Sequence, residues 1–353
     1  DRYATRKTWL DHREAAKGSP AFFLDLLGNF ALSRRPYVLD RYRCDAWREA
    51  IEQHAKDADV VVCDFLTPAP NFEGLRLSCP VVLFQHNIES QIWKRLADTA
   101  GNAVKRAYLA SQYRRMWRAE KELSEGFEGI ITVSPEDSAF CREQYQLRRV
   151  LGDVPTGVDV DAFQPPAGPA AAPVIGFLGS MDWMPNIDGV LWFAREVLPK
   201  VREQMPDVRV KIIGRNPPAS IRALAADPAI EVTGTVPEVQ PHVHECRVIA
   251  VPLLAGGGTR IKIFEAMAMG VPVISTTIGA EGLPVRHGEE IEIADDAESF
   301  AQGTLKLLAD AAAAARMAAN ARELMEQRFS WRFAASKFVE LCQQAMDHQQ
   351  RPS

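Results

Sequence analysis

The 353-residue chain carries 41 Lys and Arg against 46 Asp and Glu, for a net charge of −5, and is 47% hydrophobic and 25% charged. That balance excludes a disordered chain, and no apolar run is long enough to span a bilayer. Residues 1–150 carry +2 and the remainder −7, far from the clustered basic charge of a nucleic-acid footprint, so no nucleic-acid partner is expected.

The length exceeds a single hydrophobic core, and two domains are the default. Residues 1–54 read mostly helical, through Trp9, Phe22, Phe23, Leu26, Leu27, Trp47 and Ile51. A Rossmann-like half normally opens with a strand, so a strand-helix unit is expected ahead of Asp1. The opening DRYATRKTWL has neither an initiator Met nor an apolar signal core. Strands follow at 58–65, 80–87 and 129–134, with helices between them. The helix over 103–123 mixes Lys105, Arg106, Arg114, Arg115, Arg118 and Lys121 with Tyr108, Leu109, Tyr113, Met116 and Trp117. It is either a scaffold helix on the sheet or a peripheral contact with anionic lipid.

QPPAGPAAAP, residues 164–173, reads as a linker, since prolines and small residues there build neither helix nor packed strand. Beyond it strand and helix alternate, which predicts a parallel, doubly wound sheet. Strands are expected at 174–179, 208–214, 230–236, 248–254 and 271–276, with a helix from about Ile187 to Gln204. Six cysteines, at 44, 63, 79, 141, 246 and 342, lack metal-like or redox spacing. They suit a reducing cytoplasm, with no disulfide and no structural zinc.

Residues 256–276, GGGTRIKIFEAMAMGVPVIST, carry the chemistry. Gly256, Gly257 and Gly258 let backbone approach an anion, and Thr259 can cap the helix that follows, aiming its first N–H groups at that anion. Arg260 and Lys262 add two positive charges. Glu265, about 7 Å beyond Arg260 along a helix, can accept hydrogen bonds from two ribose hydroxyls. The core-facing stripe is expected at Ile261, Phe264 and Ala268, and Gly270 with Pro272 ends the helix. No G-x-G-x-x-G follows a strand and no G-x-x-x-x-G-K-[ST] is present, which argues against a nicotinamide dehydrogenase and a P-loop kinase.

The order VIGFLGSMDWMPN, VKIIGRNP, VTGTVPE, VPLLAGGGTRIKIFEAMAMGVPVIST and IGAEGL resembles glycosyltransferase family four, in a branch with a GGGTR-x-K-x-x-E signature. The likeness covers residues 130–340 and extends weakly through HNIES, ITVSPED and PTGVDVDAF. It implies the α/β GT-B fold: two Rossmann-like, doubly wound parallel-sheet domains facing a cleft. The divisions are then an acceptor-side domain at 1–163, the linker at 164–173, a donor domain at 174–330 and a terminal helix at 331–348 crossing back.

The resemblance implies a retaining glycosyltransferase of hexosyltransferase type, which moves a sugar from a nucleoside-diphosphate sugar to an acceptor hydroxyl without a required metal or cofactor. The acceptor would be a glycan or lipid-linked, in polysaccharide, glycolipid or cell-envelope glycan synthesis, at a cytoplasmic or peripheral inner-membrane location. Glu265 matches the second Glu of the family's Glu-x7-Glu motif, while Gly257 stands where the first Glu belongs. Relatives carry Arg and Lys after the first donor-domain strand; Ser180, Met181, Asp182 and Asn186 stand there instead, so Arg260 and Lys262 take the cationic role. His86, in HNIES, falls on the acceptor side of the cleft as a catalytic candidate, and Asp64 also ends a strand, as a turn or cap.

Further donor-site candidates are Gly179, Ser180 and Asn186 at the turn after the first donor-domain strand, with Asn186 either a helix cap or a ligand contact. Gly214, Arg215, Thr235 and Val236 follow later strands, and Glu281 lies in a loop after the signature helix. Two rivals remain: a sugar-nucleotide 2-epimerase and a non-catalytic GT-B subunit that binds a nucleotide sugar.

Overall fold

The structure, a computed structural model, describes residues 4–10, 15–16, 19–168, 170–255 and 261–350. Two compact units divide the chain: Asp1–Pro155 together with Ala335–Ser353, and Thr156–Ala334.

The first unit holds four parallel strands, β1 (Val61–Asp64), β2 (Val81–Gln85), β3 (Gly129–Thr132) and β4 (Val150–Asp153), in that spatial order. β-Branched and apolar residues run through β2 and β3, which are almost wholly buried, as strands covered on both faces require. The β2–β3 crossover contains helices Glu89–Asp98 and Ala103–Glu125. Met116, Ala119 and Leu123 of the longer helix bury against Cys63, Val81 and Leu83, so its apolar stripe serves the core. β4 falls outside the expected strands because it is a half-buried edge, RRVLGD, with little apolar signal. Residues 20–54 fold as helices Pro20–Leu32, Tyr37–Asp40 and Asp45–His54.

The second unit holds β5 (Val174–Leu178), β6 (Arg209–Ile213), β7 (Ile230–Gly234), β8 (Val248–Val251), β9 (Val273–Ser275) and β10 (Glu292–Ile293), all parallel, in the order β10-β9-β8-β5-β6-β7. The chain steps outward from β5 to β7, then returns to the other side of β5 with β8. That is the doubly wound dinucleotide-fold order, with its reversal between β5 and β8. β10, only two residues long, is a second strand that apolar patterning misses.

The helix expected from Ile187 begins earlier and is interrupted. Met184–Trp192 leads into a π-turn, Phe193–Val197, and then Leu198–Gln204. Pro199 has no N–H and its ring crowds the carbonyl four residues back, so the widened turn absorbs a defect that apolar periodicity does not reveal. Its inward side chains, Val190, Phe193, Val197 and Leu198, still join the core with Phe300.

Residues 164–173 are not a bridge between the units: they lie within the second, whose boundary falls at Thr156. Arg247 anchors the segment through Ala170 O and Ala171 O. Pro165 packs so closely on Gly270 that a Cβ there would come within 2.9 Å of it. Proline-rich composition thus reads as a linker while the segment is held by its own carbonyls. Helix Trp331–Gln350 starts in the second unit and from Ala335 belongs to the first, where Phe338 meets Phe84 edge-on with centroids 5.0 Å apart.

Gly189 permits the closest approach of helix Met184–Trp192 to the sheet, since a Cβ there would overlap Pro252 O at the end of β8. Gly189→Ala is expected to lower the unfolding free energy by about 1–3 kcal/mol through overpacking. Urea denaturation measures it, and an unchanged midpoint would show that the helix can move away freely.

Candidate functional site

In an open parallel sheet, ligands sit beyond the carboxyl ends of the strands where the strand order reverses. Here that place is set by the ends of β5 and β8. β5 delivers Gly179 and Ser180, β6 delivers Gly214 and Arg215, and β8 delivers Pro252 and Leu253, which lead toward residues 256–260.

The backbones crowd at this edge. Gly179 N–H donates to Ile213 O at 3.0 Å, and Met181 N–H donates to Arg215 O at 3.0 Å. A Cβ on Gly214 would overlap Gly179 O, and one on Gly179 would come within 2.8 Å of Asn186 Nδ2. Glycine at both positions is therefore required by packing, as well as suited to a ligand approaching the backbone.

Asn186 is 3% exposed and is not the helix cap; Trp183 holds that position in extended geometry. The Asn186 amide instead donates to Ser180 O at 2.7 Å and accepts from Lys262 Nζ. Lys262 is thereby carried from its own helix to the turn after β5, with its ammonium 5.2 Å from the centroid of Phe177 and 5.8 Å from that of Trp183. Both rings can favour the cation. The positive end of the Met184–Trp192 helix dipole lies beside it, so positive potential concentrates at the switch point. Phe177 and Trp183 are participants that residue-type reasoning passed over; only the WMPN run after β5 hinted at Trp183.

Ser180 has a second set of partners. Arg215 Nε donates to Ser180 Oγ and to Asp182 Oδ2, each at 3.1 Å, and Asn216 Nδ2 donates to Asp182 Oδ1 at 3.0 Å. Bonds from Asn216 and Ser180, with Arg215 nearby, hold the Asp182 carboxyl below its usual range. Asn216 takes φ +53° to do so, a left-handed conformation Asn tolerates better than most residues.

Glu265 lies half-buried on helix Ile261–Ala268, one turn beyond Lys262. Burial alone raises its pKa, and among the described residues its carboxylate has no side-chain partner. The helix is fixed by Ile263, Phe264, Ala266 and Met267, with Phe264 4.7 Å from Phe329 between ring centroids. Ile261, placed in the core stripe by periodicity, is 43% exposed instead. Gly270, at φ +66°, ends the helix: its N–H donates to Met267 O and that of Val271 to Ala266 O, the paired bonds of a glycine C-cap.

Gly256, Gly257, Gly258, Thr259 and Arg260 lie outside the described residues. The entry to that segment is pinned, since Thr276 Oγ1 donates to Leu253 O at 2.5 Å. Thr235 and Val236 follow β7, the edge strand, and among the described residues no side-chain hydrogen bond joins them to the Asn186 cluster. Val236 packs into the core instead. Glu281 is exposed in the loop after β9.

In the first unit, Asp64 ends β1 and pairs in register with Phe84 of the neighbouring β2, and His86 stands two residues further on, just past that strand. His86 Nε2 lies 2.7 Å from Asp64 Oδ1. The imidazole stacks on Phe65 at 3.9 Å between centroids, 14° from parallel, and touches Phe84. Asp64 is thus the partner of His86 rather than a turn cap, and Phe65 reaches its place at φ +70°, a conformation that bulky residues rarely accept.

Residues 172–310 match the family model described as glycosyl transferases group 1. A 44.6 kDa protein of the cps region of Klebsiella pneumoniae is 22% identical over 252 residues, covering 69% of this chain and 63% of that protein. Phosphatidyl-myo-inositol mannosyltransferase of Mycobacterium leprae is 28% identical over 197 residues, covering 53% of this chain and 52% of the relative. Anabaena HepE, solved in complex with UDP, superposes with a TM-score of 0.63 at 16% identity, covering 85% of this chain and 82% of HepE. The chain therefore spans about 52–63% of the length of these two curated relatives.

Asn186→Ala should leave Ser180 O and the Lys262 ammonium without their shared partner, lowering stability by about 1–3 kcal/mol. Chemical denaturation reads this, and Asn186→Asp, which keeps the acceptor for Lys262, should recover part of the loss. Equal stability of the alanine variant and the parent would contradict the bridge.

Proposed function

We propose that this protein, which resembles glycosyltransferase family four, matches glycosyl transferases group 1 over residues 172–310 and has the GT-B fold, transfers a sugar from a nucleoside diphosphate to an acceptor hydroxyl. The observation that carries the reading is a held cation beside an acid that has no side-chain partner among the described residues, both at the strand-order reversal. Lys262 is fixed by Asn186 beside the turn after β5, and Glu265 follows one turn later on the same helix.

In this reading the diphosphate lies against Lys262 and the N-terminus of Met184–Trp192, with Arg260 and the glycines of 256–258 supplying the remainder from the sequence. Glu265 accepts from the ribose hydroxyls. The bond between the sugar's anomeric carbon and the diphosphate oxygen breaks, and a bond from that carbon to the acceptor oxygen forms. The acceptor proton leaves with the diphosphate, whose growing negative charge the two cations offset in place of a metal. Transfer is of the retaining, hexosyl type. Gly257, where an acid stands in the family motif, leaves the sugar side without that carboxylate.

The first unit is the acceptor side, with His86, Asp64 and Phe65 as its contacts. A glycan or lipid-linked acceptor in cell-envelope synthesis is supported by the relatives' names, a cps-region protein and a phosphatidyl-inositol mannosyltransferase. No helix of the described residues is long and apolar enough to cross a membrane. Lys105, Arg106, Arg114 and Arg118 are exposed on helix Ala103–Glu125 and offer a cationic face for peripheral contact with the inner membrane surface.

Two substitutions test the site. Lys262→Ala should lower turnover with a nucleotide-sugar donor by on the order of 10²–10³ while the protein stays folded. Glu265→Gln should weaken UDP or GDP binding and yet raise the melting temperature at neutral pH. The sign follows from burial: a carboxyl whose pKa is raised in the native state stabilises it when protonated, and that contribution is lost as pH rises through the raised value. Glutamine removes this dependence. A Glu265→Gln protein with unchanged nucleotide affinity would remove Glu265 from the ribose site.

A further inference from the structure

Glu120, on helix Ala103–Glu125, is completely buried, and both of its carboxyl oxygens are engaged. Oε1 accepts from Gln85 Nε2 and, at 2.8 Å, from the Glu89 N–H. Oε2 accepts from the Ser90 N–H at 2.8 Å and from Tyr145 OH at 2.5 Å. Tyr145 OH lies 2.6 Å from Ser90 Oγ as well. Gln85 is the last residue of β2, and Glu89 and Ser90 open helix Glu89–Asp98, whose N-cap, Ile88, makes no side-chain capping bond. A carboxylate from another helix therefore supplies the missing cap and grips both ends of the turn His86–Ile88.

We propose that Glu120 is a positioning residue: by bonding Gln85 on one side and the amides of Glu89 and Ser90 on the other, it fixes the turn that presents His86 and Asn87 to the acceptor. The role in transfer rests on reading the first unit as the acceptor side. Only a carboxyl satisfies these four donors. Ionised, it accepts from all of them. Protonated, Oε2 still accepts from Ser90 N–H while donating to Tyr145 OH, which turns its own hydrogen to Ser90 Oγ. A glutamine would set its NH2 group against at least one of the facing N–H donors.

Burial pushes Glu120 up to about 7, against the bonds from Tyr145, Ser90 and Glu89 that pull it down. The other titratable groups facing it are Glu89, Tyr145 and Cys141. Burial raises all three, with Cys141 at about 12, so Tyr145 and Cys141 stay protonated near neutrality. The turn thus carries a reporter: the Glu89 and Ser90 amides sense the proton on Glu120.

The test follows those two amides by NMR on the full chain from pH about 5 to 9. Their resonances should move together with one midpoint near 7 in the parent and in Glu89→Gln, and stay still in Glu120→Gln. Hydrogen exchange over residues 86–91 should quicken by about tenfold in Glu120→Gln but under about threefold in Tyr145→Phe, which leaves the amide bonds intact. No acceleration in Glu120→Gln, or equal acceleration in both variants, would overturn the assignment. If Glu120→Gln does not fold, Glu120→Asp takes its place: its shorter side chain cannot reach Gln85 and both amides together, so the same quickening over residues 86–91 is expected, and its absence would overturn the assignment. UDP affinity of the parent, measured by calorimetry, reads the second unit, so its absence would contradict the donor site and not the role of Glu120.

Discussion

The second unit is organised by close backbone approach at the reversal of strand order between β5 and β8. Parallel strands can only be joined by crossovers, and two sets of crossovers leaving in opposite directions must part at one point, opening a crevice at the carboxyl edge. Gly179, Gly189 and Gly214 let the walls of that crevice close to backbone contact. Asn186 and Lys262, 76 residues apart in sequence, meet only because these contacts bring their helices to the same edge.

The two charged groups there are treated differently by the fold. Lys262 is held by Asn186 and faces two aromatic rings, whereas Glu265 is half-buried and raised in pKa by burial alone. In the proposed reading, that acid is left to the ribose of the donor. The same contrast separates the acids of the first unit. Glu120 is saturated by four donors and serves the chain itself, while Asp64 is exposed and spends its bond on His86.

Much of this architecture is legible in the residues. Apolar runs bounded by Gly or Pro locate β1–β3 and β5–β9, and the Gly270–Pro272 stop ends the signature helix where expected. What sequence hides is set by long-range contact. β4 and β10 are short edges with little apolar signal. Asn186 looks like a cap because it opens an apolar helix, yet its partners are a carbonyl six residues back and a distant lysine. The pairing of Asp64 with His86 was within reach, since adjacent parallel strands end together, but the stacking of Phe65 depends on a positive φ that no residue pattern announces. Residues 164–173 mislead because composition reports flexibility, while Arg247 determines where they lie.

The central claim is that the edge carrying Lys262 and Glu265 binds the nucleoside diphosphate of a sugar donor. The most direct measurement is a thermal-shift titration of the purified protein with UDP, GDP and ADP and their sugars. The account requires saturable stabilisation by at least one diphosphate pair, of about 2–4 kcal/mol at ligand concentrations 100–1,000 times the dissociation constant, with a weaker response in Lys262→Ala. A folded protein that none of these nucleotides stabilises would contradict it.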